Sequence, residues 1–132
     1  MEKDFDKWNI LKQNIELTNK PLKVFLQPRD VWMISLGRNI GFEQNGTGDN
    51  FSRPVLIVKK FNNQMFWVVP LTTRQKNLDF YYNFIDPSKR PVSAIMAQMR
   101  LISIKRCKRM LYRLNQNDFE SILKKLADFL RI

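Results

Sequence analysis

The sequence predicts a mainly β domain, a small antiparallel barrel with one helix after it and another before it. Three observations lead there. Five to seven short β-forming runs succeed one another from Val31 to Leu114 with no helical pattern between them, which suggests an antiparallel sheet closing on itself. The hydrophobic period then switches, so that Phe119, Ile122, Leu123, Leu126, Phe129 and Leu130 recur at helical spacing. Finally, all four glycines (Gly37, Gly41, Gly46 and Gly48) fall in one window between two strands. Loops held by a rigid sheet are where binding and chemistry concentrate.

Each element has its own signal. Phe5, Trp8, Leu11 and Ile15 fit an amphipathic helix over 4–17, with Asp4 or Asp6 at its start, where acids complement the helix dipole. Thr18 to Gln27 reads as a connector punctuated by Pro21 and ended by Pro28. Val31 to Leu36, Pro54 to Lys60 and Met65 to Leu71 read as strands, the last two joined through a turn at Asn62-Asn63-Gln64. Asp79 to Ile85 is an aromatic-rich strand closed by Asp86-Pro87. Val92 to Ile104 holds one or two strands and Cys107 to Leu114 another. Asn115 or Asn117 caps the closing helix, with Asp118 or Glu120 near its third position. The chain thus divides into an N-terminal helical extension, 1–27, and a barrel domain, 28–132.

The charge is extreme. Lys and Arg number 23 against 12 Asp and Glu, a formal net charge of +11. Such an excess costs self-repulsion and points to a polyanionic partner: nucleic acid, an anionic membrane or an acidic protein. No apolar run approaches a membrane span, the longest being the strand-sized Met65 to Leu71. MEKDFDKW carries early acids and no signal-peptide core, and one cysteine, Cys107, forms no internal disulfide, so cytoplasm is the expected location. With no histidine and one cysteine, neither structural zinc nor a metal cofactor is expected, and Ser-His-Asp and Cys-His catalysis are impossible. The glycine spacing matches neither a P-loop nor a dinucleotide fingerprint.

Several residues could carry chemistry, and each has a plainer reading. Arg53 follows the glycine window and precedes Pro54, so it is either a surface arginine at a strand start or a planar fork aimed at phosphate oxygens. Thr72 and Thr73 end a strand, as β-formers do, or donate hydroxyls to a phosphate. Arg74 and Lys76 add charge just beyond. Glu43 and Gln44 lie inside the glycine loop, where Glu43 is a solvated acid or a proton acceptor. Arg100, Lys105, Arg106, Lys108, Arg109 and Arg113 fall within an acid-free stretch interleaved with apolar residues. It reads as one strand pair with a cationic face, suited to tracking phosphates or guarding a sheet edge. Cys107 among these cations is a more acidic thiol if exposed, or points inward. Of Phe80, Tyr81, Tyr82 and Phe84 some must be exposed, as stacking platforms or in a dimer interface or against the N-terminal helix.

Separated fragments agree with one family. Pro28-Arg29-Asp30-Val31-Trp32, Ile40-Gly41-Phe42-Glu43-Gln44, Ser52-Arg53-Pro54-Val55-Leu56-Ile57, Val69-Pro70-Leu71-Thr72-Thr73 and Ala97-Gln98-Met99-Arg100-Leu101-Ile102 occur in order, followed by the basic segment and a closing helix. In these the chain resembles the MazF/PemK/Kid toxins of type II toxin-antitoxin systems over 28–132. The resemblance implies an SH3-like barrel, a homodimer, an acidic antitoxin partner and a metal-independent endoribonuclease acting on single-stranded RNA. It implies attack of a 2′-hydroxyl on the adjacent phosphate, giving a 2′,3′-cyclic phosphate and a 5′-hydroxyl. Carried over, the catalytic arginine falls on Arg53, the threonine on Thr72 and the loop glutamate on Glu43. The RNA-binding residues fall on Gln44, Thr73, Arg74, Lys76, Gln98 and Arg100.

The chain also departs from that pattern. Asn45 to Asn50 lengthen the loop, Ala97 stands where some members carry an acid before the QxR segment, and the N-terminal helix lies outside the common core. No residue stands out as proton donor to the leaving oxygen, since arginine holds its proton too tightly. Two rival functions use the same fold: a non-catalytic poison like the gyrase-inhibiting CcdB toxins, and an RNA-binding barrel without catalysis.

Overall fold

The computed structural model describes residues 4–17, 25–37 and 51–131. The connector over 18–24 and the loop bearing Glu43 and Gln44 lie outside the described residues. The described elements, in chain order, are α1 (Phe5–Leu17), β1 (Asp30–Ser35), β2 (Ser52–Lys60), β3 (Met65–Thr72), β4 (Tyr81–Ile85), β5 (Pro91–Ile95), β6 (Arg100–Ser103), β7 (Cys107–Arg113) and α2 (Gln116–Leu130), with short 3-10 turns at Met96–Gln98 and Ile104–Arg106.

All the strands pair antiparallel in the order β4-β5-β3-β2-β1-β7, and β6 joins β3 off this path. The fold is therefore mainly antiparallel β, as expected, and barrel-like, but among the described strands the sheet does not close on itself. Its end strands are β4 and β7, and α2 explains the gap. The helix leaves directly from β7 and lies against β4, where the Tyr82 hydroxyl donates to Asp118 at 2.6 Å and Lys125 Nζ donates to the Tyr81 carbonyl at 3.1 Å. A helix occupies the place where the closing strand pairing would run.

Two apolar faces hold the sheet. On one, Val31, Leu56, Val69 and Leu71 meet Phe84, Val92 and Ala94 and the α2 side chains Phe119, Ile122 and Leu126. On the other, Trp32, Ile34, Val55, Ile57, Phe66 and Val68 pack with Ile102 and Cys107. Phe66 is fully buried there, and emptying such a site costs about 3–5 kcal/mol. Cys107 points inward, one of the two placements its sequence position left open.

The basic segment is not one strand pair. β6 pairs with β3 and β7 with β1, because the 3-10 turn Ile104–Arg106 swings the chain from one side of the sheet to the other. Several of its cations take structural roles. Arg113 pairs with the buried Asp30 at 3.5 Å, and Lys105 Nζ donates to the Glu16 carbonyl at 2.7 Å, meeting the C-terminal turn of α1. Two rings of the aromatic strand β4 face the C-terminal helix: Phe84 is buried in the core shared with α2, and Tyr82 packs against that core.

Candidate functional site

Arg53 and Thr72 meet at one end of the β2–β3 pair. Val55 lies opposite Pro70, and this register, continued by two residues, sets Arg53 across from Thr72. Side chains alternate along a strand, so Arg53 shares the face of Val55 and Ile57, and Thr72 shares that of Phe66 and Val68. These are the same face, the one carrying Ile34 opposite Arg53. Arg53 Nη1 donates to the carbonyl of Leu71, the residue before Thr72, at 3.1 Å. The guanidinium is half-buried and turned toward that residue.

Burial holds the Arg53 pKa below the ordinary arginine value; Arg74 pushes the same way and Tyr81 opposes. Arg53 remains a cation at any ordinary pH, and a partly desolvated one beside a second cation is stabilised by an arriving anion. Thr72 Oγ1 accepts the Arg74 N–H at 3.2 Å, a bond that fixes the hydroxyl and leaves its hydrogen to donate. Thr73 and Arg74 are exposed just beyond. Lys76 Nζ stands 5.9 Å from the Tyr81 ring centre.

Arg100 lies opposite Val68 and so on the face shared by Arg53 and Thr72, four residues along β3 from Thr72, or about 13 Å at strand rise. It is half-buried, and it lowers the pKa of Arg106, which burial lowers first. Gln98 ends the 3-10 turn between β5 and β6, also half-buried. The structure therefore brings Arg53, Thr72, Thr73, Arg74 and Lys76 to one sheet end and sets Arg100 and Gln98 further along. Glu43 and Gln44 lie outside the described residues. The strands that carry the site are also free of acids: 51–78 and 87–117 contain neither Asp nor Glu.

Two neighbours were not among the site residues expected from sequence. Tyr81 brings a phenol into the electrostatic neighbourhood of Arg53; its place in an aromatic run suggested only stacking or packing. Gln75 Nε2 donates to the Phe84 and Val92 carbonyls at 3.2 and 3.1 Å and so ties the segment after Thr72 to β4 and β5. An amide in a polar loop gave no signal of that.

A barrel-like antiparallel sheet, a C-terminal helix laid on it, and a guanidinium and a hydroxyl at one sheet end define a small, basic, mainly β protein without histidine. The sequence model of the PemK-like, MazF-like toxins of type II toxin-antitoxin systems matches residues 27–130, and the chain belongs to that family. Helix α1 lies outside the matched span. No curated protein matches the chain in sequence. Among solved structures, MazF from Deinococcus radiodurans superposes with a TM-score of 0.68 at 15% identity, over 83% of this chain and 100% of that one. The Mycobacterium tuberculosis toxin MazF-mt6 gives a TM-score of 0.58 at 15% identity, over 76% of this chain and 94% of that one. At such identities these likenesses speak for the fold alone. Among the described residues no helix is long and apolar enough to cross a membrane.

Proposed function

We propose that this toxin is an endoribonuclease that cuts single-stranded RNA through the 2′-hydroxyl, with Arg53 and Thr72 as the groups that hold the scissile phosphate. The observation that carries the reading is their convergence: a desolvated guanidinium bonded to the Leu71 carbonyl, and the next residue's hydroxyl fixed beside it. In-line attack builds charge on the non-bridging phosphate oxygens. Arg53 supplies charge-assisted donors already held in place, and Thr72 adds a neutral one. Arg74 and Lys76 raise the local potential, while Arg100 and Gln98 receive the strand further along the same face. Glu43 serves as base toward the 2′-hydroxyl, and the departing 5′-oxygen takes its proton from water. With no histidine in the chain, the acceleration rests on positioning and charge. The same cationic face suits an acidic antitoxin segment, which would compete with RNA for it. A homodimer in the cytoplasm completes the proposal.

The test is chemical. The protein is incubated in EDTA with mixed-sequence single-stranded RNA and the new ends are analysed. Products carrying 2′,3′-cyclic phosphate and 5′-hydroxyl ends, absent with Arg53→Ala, are expected. RNA that is bound but left intact supports an RNA-binding barrel instead; intact, unbound RNA together with gyrase inhibition supports a protein-targeted poison.

A further inference from the structure

Helix α1 buries one side chain against the rest of the protein. Trp8 is its buried residue, 5% exposed. The indole sits where β1 ends and β2 begins. Its ring centre lies 5.7 Å from that of Phe51, and the Arg106 guanidinium carbon stands 5.6 Å over it. Gly37 passes so close that a Cβ there would come within 2.2 Å of the ring, and its φ of +92° is one that side chains rarely adopt.

Those contacts fall on the bonds that close the strand pair. Leu36 and Gly37 both donate their N–H groups to the Phe51 carbonyl, at 2.9 and 3.1 Å. Arg106, whose guanidinium stands over the indole, donates from Nη1 to the Ser35 carbonyl at 3.1 Å. Phe51 itself holds a φ of +52°, a conformation that a bulky residue keeps only when its surroundings over-determine it. Two residues later comes Arg53.

From this packing we propose that Trp8 is a positioning residue for Arg53. The indole, braced by Arg106, holds Gly37 and Phe51 in their left-handed conformations and so fixes the start of β2. This rests on the ribonuclease reading of Arg53. The helix outside the family's matched span then tunes the reaction without touching RNA. A guanidinium displaced by a fraction of an ångström still attracts the substrate but meets the transition state less well, so the loss falls on kcat rather than KM.

The experiment compares the wild-type chain with Trp8→Ala and Trp8→Phe by amide hydrogen exchange and by single-stranded RNA cleavage. With Trp8→Ala, exchange at Leu36 and Gly37 is expected to quicken at least about tenfold while Val55 and Ile57 stay protected, showing an intact sheet. In the same variant kcat falls about tenfold and KM stays within about twofold. Trp8→Phe keeps a ring in place and recovers most of both. Unchanged exchange and cleavage in Trp8→Ala overturn this proposal alone, as does a kcat loss that Trp8→Phe fails to relieve. A wild-type chain that cuts no RNA overturns the ribonuclease reading and this one with it.

Discussion

At the scale of single residues, burial decides what each charged or hydroxyl group can do. Arg53 is legible in the sequence as a cation before a strand, but its half-buried fork bonded to Leu71 depends on the β2–β3 register, which links residues 18 apart. No local pattern specifies which way such a side chain turns. Tyr112 shows the same control by environment. Burial, then the charge of Asp86, pushes its phenol up to about 12, with Arg90 opposing. Its folded pKa is raised above the ordinary 10, so the neutral ring contributes stability that is complete below pH 10 and is lost as the pH climbs toward 12. A phenolate absorbance titration checks this: Tyr112 ionises near pH 12, a step that Tyr112→Phe removes, and that variant flattens the loss of stability above pH 10. A titration step near pH 12 that survives Tyr112→Phe, or no such step in the wild type, would contradict it.

Among elements, the closing helix is the clearest case of local chemistry reaching tertiary structure. Asn115 and Asn117 both suited its cap, and the structure selects Asn115. Its Oδ1 accepts the Asp118 N–H at 2.8 Å and its Nδ2 donates to the Asp118 carboxylate at 2.7 Å. Asp118 also accepts from Tyr82, so this cap fixes the helix to β4 as well. Asn115→Ala should cost about 1 kcal/mol in urea unfolding, and Asn117→Ala within about 0.5 kcal/mol of nothing. Equal losses would contradict the assignment. The strands were legible wherever apolar runs had turn chemistry at both ends, as with Asn62, whose Oδ1 accepts from the Gln64 and Met65 N–H groups. Strand partners were not. The spacing of β6 and β7 suggested a hairpin, whereas a three-residue 3-10 turn sends them to β3 and β1. In α1 the apolar stripe predicted the helix, yet Phe5 is 44% exposed and Trp8 alone is buried, so the stripe did not reveal what the helix touches.

For the molecule as a whole, the +11 charge is spread unevenly enough to matter. The strands bearing Arg53, Thr72 and Arg100 lack carboxylates, and among the described residues the buried acids, Asp30 and Asp86, pair with Arg113 and Arg90. The sheet is stabilised by two apolar cores, and under the proposed function its surplus charge serves a polyanion. Composition pointed to that partner class, and ordered fragments pointed to the fold; the meeting of Arg53 and Thr72 needed coordinates. Their joint action on one phosphate is tested most directly by a double-mutant cycle on single-stranded RNA cleavage, using Arg53→Ala, Thr72→Val and both together. Each single change should lower kcat/KM by about 10²-fold or more, and the pair by far less than the product of the two, as for residues that act as a unit. Losses that multiply, or a single variant within twofold of wild type, would contradict their convergence on the reacting phosphate.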